Sequence, residues 1–342
     1  MQIFSKLARL KPTVVYDTYW KFAAERQAIF FRRFQGEAHP WTQDPILEKH
    51  KFTNAYRASD RVSQYLIKNV IYRGDQSPDE VFFRCILFKI FNRVSTWELL
   101  EAALGEIRHS TYSFRLYDQI LEKAMLRGKR IFSAAYIMAS HAAGLNEKLK
   151  HRNYLLLLER MIRDKLPLQL MEQKTMKGAF ELLLGYPLVG KFIAYQFLTD
   201  INYSRLTNFS EMEFVMPGPG AKDGIRKCFE TIGDISEADA IKFVTERQDD
   251  EFKRLGLNFQ NLWGRPLQLI DCQNLFCEVD KYARVAHPEI RGITGRLRIK
   301  QIFARNSQVI EYWFPPKWEI NDRIRPVVHN SPNGQLMLIT EK

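Results

Sequence analysis

An all-α fold is what the sequence predicts, and three observations carry that prediction. Apolar residues recur at three- and four-residue steps over eight long segments. The β-like runs are few and short, and 46% apolar against 26% charged residues, with only 17 Gly and 14 Pro among 342, mark a chain that buries a core. In order, the helical segments are 14–34, 45–71, 79–91, 95–103, 113–126, 130–143, 146–163 and 168–184. The second opens with Thr42 or Asp44 as its cap and Pro45 in its first turn, where the missing N–H of proline costs nothing. A tight Tyr186-Pro-Leu-Val-Gly190 turn then joins a helix that opens at Gly190, another begins near Lys222, and a third holds 270–284. The β-like runs are 213–216, 309–314 (stopped by Pro315-Pro316) and, after an Asn333-Gly334 turn, 335–339. The length suits two lobes, and composition divides the chain into a helical unit, 1–285, and a basic, loop-rich tail, 286–342.

The net charge is +12 and sits at the ends: residues 1–73 carry 13 basic and 6 acidic side chains, residues 280–342 carry 11 and 6, and the middle balances. A polyanion suits such ends, although a basic surface that only keeps the chain soluble is the plainer reading. The four cysteines are scattered and read as reduced structural thiols. No apolar run of signal-peptide length starts the chain and none approaches the roughly 18 residues of a membrane span, so a cytoplasmic protein without a membrane partner is expected. The seven His show no H-x-x-x-H or H-E-x-x-H spacing, and neither G-x-x-x-x-G-K-[ST] nor G-x-G-x-x-G occurs, so neither a metal nor a cofactor is expected.

Four segments carry candidate chemistry. Two helical patterns around Tyr186–Gly190 form a hairpin over about 168–200, whose second helix would turn the free N–H groups after Gly190, with Lys191, toward a phosphate; an ordinary αα-hairpin is the alternative. The turn resembles that of a helix-hairpin-helix, which usually reads Leu-Pro-Gly-Val-Gly, and Leu188 stands where the resemblance implies its first glycine, so an altered hairpin is expected. The loop Met216-Pro-Gly-Pro-Gly-Ala-Lys-Asp-Gly224 could line a pocket with the amides of Gly218 and Gly220 and with Lys222, or simply start a helix. Asp271, Asn274, Glu278 and Lys281 form one stripe of a helix that also holds Gln273, which fits a buried polar site or a solvated ion-paired face. Asn54, Arg57 and Arg61 share a helix face among aromatics, as a surface that grips phosphates and stacks a base would, or as an Asp60–Arg57 network would.

The runs Pro40-Trp-Thr-x-Asp-Pro-Ile-Leu47, Phe52-x-Asn-x-Tyr-Arg-x-x-Asp-Arg61, Gly218-Pro-Gly-Ala221 and Cys277-Glu-x-x-Lys-Tyr282 give a specific resemblance. The chain, from about 23 to 284, resembles the family of the helical domain of 5-hydroxymethyl-deoxyuridine DNA kinases and of α-glutamyl/putrescinyl-thymine pyrophosphorylases. The resemblance implies hypermodified-pyrimidine chemistry and a two-lobed fold similar to helix-hairpin-helix DNA glycosylases, including anti-phage glycosylases that excise glucosylated hydroxymethylcytosine. The kinase catalytic domain of the family's kinases is not found in this sequence, so base phosphorylation is not expected of it. The expected function is a glycosylase that flips a modified pyrimidine out of double-stranded DNA and hydrolyses its N-glycosidic bond. A transferase acting on an activated hydroxymethyl-pyrimidine, and a non-catalytic reader of modified DNA, are the alternatives. Asp200, just after the hairpin, is the first catalytic candidate, followed by Glu278, Asp271 and Lys281, with Glu211 and Glu213 at the more usual distance beyond such a hairpin. Asn54, Arg57, Arg61, Gly190, Lys191, Gly218, Gly220, Lys222, Gln273 and Asn274 are the expected contacts to DNA or base.

Overall fold

Helices begin where an oxygen can take up the first free N–H groups. Thr13 Oγ1 accepts from Val15 N–H at 3.1 Å and opens α1 (Val14–Phe34), and Asp44 Oδ1 accepts from Ile46 and Leu47 at 2.8 and 3.1 Å and opens α2 (Pro45–Lys49). In the computed structural model, which describes residues 10–134, 139–142, 144–306 and 310–325, twelve further α-helices follow. They are α3 (Arg61–Tyr65), α4 (Pro78–Phe91), α5 (Val94–Leu104), α6 (Phe114–Leu126), α7 (Lys150–Arg163), α8 (Leu166–Met171), α9 (Met176–Leu184), α10 (Lys191–Ile201), α11 (Pro219–Cys228), α12 (Glu237–Glu246), α13 (Gln248–Arg254) and α14 (Leu269–Ala286). The fold is therefore mainly helical, and none of the described helices is long and apolar enough to cross a membrane.

The helices pack as two groups. In the first, α1, α11 and α12 lie against α14; in the second, α7 and α10 lie against α4, with α5, α6, α8 and α9 around them. One continuous apolar core runs through both, from Tyr19, Trp20 and Phe276 in the first to Phe82, Phe88 and Leu158 in the second. Residues 50–71 form the seam between the groups.

That seam differs from the expected single helix over 45–71. Helix α2 stops at Lys49, a 3-10 turn occupies Arg57–Ser59, and α3 runs into a π-turn at Leu66–Ile71. The cause is that carboxylates take N–H groups a helix would need: Thr53 N–H donates to Glu278, Asn54 N–H to Asp60 and Arg57 N–H to Asp271. Among the described residues of 130–143 there is no helix, because Ile131 C=O and Ser133 N–H bond to Thr96 and Phe91 of the neighbouring elements. The segment 168–184 is two helices, the second capped by Thr175.

The strands are also elsewhere than expected. The sheet is a two-stranded antiparallel ribbon that pairs β1 (Lys11–Pro12) with β2 (Phe229–Thr231). Residues 213–216 have no partner to form a ladder; Phe214 packs on Phe180 and Tyr195 instead. Residues 310–314 form no strand, and 335–339 and Val309 lie outside the described residues. The described part of the tail folds back on the helical unit: Phe303 N–H donates to Lys49 C=O, and Phe314 and Ile320 are buried.

Candidate functional site

Arg57 is the residue on which the two helix groups meet. Its backbone N–H donates to Asp271 Oδ1 of α14 at 2.8 Å, while its guanidinium reaches Asp200 Oδ1 of α10 at 2.6 Å, Tyr203 Oη at 3.0 Å and Gln196 Oε1 at 3.2 Å. Lys89, in the apolar run of α4, takes the other oxygen of Asp200 at 2.8 Å. Asp200 has no exposed surface. Burial alone would push its carboxyl up, but the Arg57 and Lys89 charges outweigh that and hold it below its ordinary value. Asp271 also accepts from Gln268 N–H in a capping box at the start of α14, and burial pushes its carboxyl up to about 7 against those two hydrogen bonds. Further along α14, Glu278 accepts from Thr53 N–H at 2.9 Å and Lys281 Nζ at 2.7 Å, and that ammonium lies 4.6 Å from the Phe52 ring. Asn54 bonds Arg26 and Ser59. The structure thus brings Arg57, Asp200 and Asp271 together, with Glu278 and Lys281 close behind, but as a buried clasp rather than a cleft. Gln273 is buried on α14 as well, and Asn274 and Arg61 are half-buried.

The hairpin and the Pro/Gly loop meet at a different place. Gly190 caps the start of α10 and Asp200 lies in its last turn, roughly 15 Å apart at the rise of an α-helix. Leu188 adopts φ +65°, so the turn keeps the left-handed residue that leucine disfavours, at a cost of roughly 1–2 kcal/mol. A side chain on Gly190 would meet nothing, and Lys191 beside it is exposed. Gly218 starts α11 against the Phe192 ring, where a Cβ would come within 2.8 Å. Gly220 and Gly224 serve helix packing instead. A Cβ on either would lie 2.4 Å from Cys277 Sγ or 2.0 Å from Phe276 C=O, so their bareness lets α11 lie on α14. The open side of Gly220, whose amide is expected from the sequence to line a pocket, is thus filled by α14. Lys222 is half-buried on that helix, and Glu211 is held by Arg265 at 2.8 Å and Trp318 Nε1 at 3.0 Å while Glu213 is exposed.

A wide concavity lies elsewhere, beside the Pro40-Trp-Thr-x-Asp44 run. A cavity of about 820 Å³ is walled by Thr18, Lys21, Phe22, Glu25 and Arg32 of α1, by residues 40–44, and by Tyr282 and His287 at the end of α14. Its walls are fixed by polar contacts: Tyr282 Oη donates to Asp44 Oδ2 at 2.7 Å, Arg32 Nη1 donates to Trp41 C=O and Glu25, and His287 Nε2 pairs with Thr18 Oγ1 at 2.8 Å. Two guanidiniums face the Trp41 ring, Arg33 at 4.9 Å and Arg305 at 5.9 Å. Aromatic faces, cations and a polar rim in a volume of this size suit a flat ring with an anionic group. The sequence motifs contain Trp41 and Tyr282, but sequence reasoning missed the groove they line, and it missed Lys89 and the buried Lys227–Asp280 pair (3.0 Å); a lone lysine in an apolar helical run was the available signal.

A helical scaffold with a fixed, amphiphilic groove is the class the geometry defines. The chain belongs to the family of the 5-hmdU DNA kinase helical domain, which matches residues 13–292. It is 29% identical over 293 residues to the 5-hmdU DNA kinase of Bacillus phage SP10, an alignment covering 78% of this chain and 45% of that protein, so the chain spans less than half the relative's length. No solved structure matches it. These findings overturn the expected glycosylase and hydrolase: the relative is a kinase, which transfers a phosphoryl group rather than hydrolysing an N-glycosidic bond.

Proposed function

We propose that this chain engages DNA that contains 5-hydroxymethyl-pyrimidines and holds the modified nucleotide as acceptor for a group transfer. The observation that carries this reading is that the family match spans both walls of the groove, from α1 and the Trp41 loop to His287. In duplex DNA the 5-substituent stands in the major groove, but a walled groove holds the whole nucleotide only once it has left the stack, at a cost of a few kcal/mol met by phosphate and groove contacts. Trp41, half-buried at the rim, then offers an aromatic contact to the ring, Lys21 and Arg32 offer charge to its phosphate, and His287 with Thr18 offers a polar edge to a hydroxymethyl group. Lys191 at the start of α10 is a second phosphate contact in this reading.

The test is fluorescence anisotropy of the full chain with two duplexes that differ in one base, 5-hydroxymethyluracil or thymine. The modified duplex is expected to bind several-fold more tightly, and Trp41→Ala is expected to erase the difference while leaving general DNA affinity. Equal affinity of the parent for both duplexes overturns the reading.

A further inference from the structure

A run of exposed positive charge lies not in the groove but on the strap that leads to it. Between Ile290 and Asn306 stand Arg291, Arg296, Arg298, Lys300 and Arg305, all exposed, with no acidic residue among them. The strap is tied down by its backbone, the Thr294 hydroxyl and the Gln301 amide, and of its cations Arg305 lies against the Trp41 ring. Thr294 N–H donates to Asp223 Oδ1 at 3.0 Å and its hydroxyl to Oδ2; Arg298 C=O accepts from Arg284 at 3.1 Å. Gln301 C=O accepts from Lys51 N–H at 3.1 Å and Phe303 N–H donates to Lys49 C=O at 3.0 Å, which sets the strap beside two more exposed lysines. A segment whose backbone is fixed while its cations stand exposed is arranged for an external anion.

We infer that this strap, with Lys49 and Lys51, is the track along which the nucleic-acid backbone runs into the groove; the inference rests on the function proposed above and adds the surface. Continuity with the groove selects the partner. The strap ends at Arg305, whose guanidinium lies 5.9 Å from the ring of Trp41, a residue that lines the groove, so a strand laid on the strap runs to the groove's rim. An anionic membrane would meet the same cations and the exposed Ile293, Leu297 and Ile302, but it would have no use for the groove.

The experiment measures binding of the full chain to an unmodified duplex from 50 to 200 mM salt, for the parent and for Arg296→Glu/Arg298→Glu/Lys300→Glu. The variant is expected to lose at least tenfold in affinity at the lower salt, with a log–log salt slope smaller by about two to three, one per phosphate contact, and an unchanged melting temperature. The Gln triple variant, which removes charge without reversing it, is expected to show the same loss of slope and serves if the Glu variant does not fold. Parent-like affinity and slope in a folded triple variant overturn the strap while leaving the groove reading standing. Strap-dependent binding to phosphatidylserine vesicles with strap-independent binding to DNA overturns it in favour of a lipid surface. A parent that discriminates neither base nor binds any DNA overturns both readings.

Discussion

At Asp200 one carboxylate neutralises two buried cations from different elements, Arg57 of the seam and Lys89 of α4. Asp200→Asn keeps the shape and removes the charge, so Arg57 and Lys89 lose the carboxylate that they share. A loss of about 3–5 kcal/mol is expected, read as a lower denaturation midpoint. A fall below about 1 kcal/mol would show that the cations find other partners. Leu188 poses the opposite problem, a side chain that gains by burial on a backbone that resists it. Leu188→Ala loses the buried side chain and keeps the left-handed backbone cost, whereas Leu188→Gly loses the side chain and relieves that cost. The glycine variant is therefore expected to be the more stable by about 1 kcal/mol in the same denaturation, and both are expected to be less stable than the parent.

Among the elements, α11 shows how a residue pattern can be visible while its reason is not. The run Gly218-Pro-Gly-Ala-Lys-Asp-Gly224 is legible as the punctuation before a helix, yet what the glycines face, Phe192, Cys277 and the Phe276 carbonyl, is set by partners tens of residues away. Gly224→Ala puts a methyl on a backbone carbonyl that has no flexible end to move, so about 3 kcal/mol or more is expected to be lost in thermal denaturation. Gly190→Ala, whose methyl meets open space, is expected to leave the melting temperature within a degree or two. Helix α1 was legible to the residue because its cap and its apolar spacing agree. The segment 45–71 was misread for a definite reason: Phe52, Tyr56 and Leu66 keep helical spacing, but the N–H groups between them are taken by Asp60, six residues from its donor, and by Glu278 and Asp271, and no local pattern reveals the latter two, more than two hundred residues along the chain.

In the whole molecule, the same long-range closure explains why the groove was not foreseen: Trp41 and Asp44 are plain in the sequence, and Tyr282 and His287, which complete the cavity, follow more than two hundred residues later. It also gives the clasp between the helix groups a pH signature. Burial lifts the Asp271 carboxyl to about 7, whereas in the unfolded chain it releases its proton near 3.8. Between those values the folded state holds a proton that the unfolded state does not, so acid favours folding: this contribution is present toward the lower end of the window and is lost as pH rises through about 7. Asp60, lifted to about 7 chiefly by burial, acts in the same sense. His151, lowered chiefly by burial, acts in the opposite sense below its ordinary value, so the clean measurement is the difference between parent and Asp271→Asn. The variant cannot titrate there, and it loses one of the two N–H bonds that the carboxylate accepts, a fixed cost at every pH. Urea denaturation at pH 8 and at pH 5.5 is therefore expected to show the parent's advantage over Asp271→Asn growing by a few kcal/mol toward the lower pH. An advantage that stays constant, or shrinks on acidification, would mean that Asp271 is ionised in the folded protein throughout this range, with the hydrogen bonds from Arg57 and Gln268 outweighing its burial.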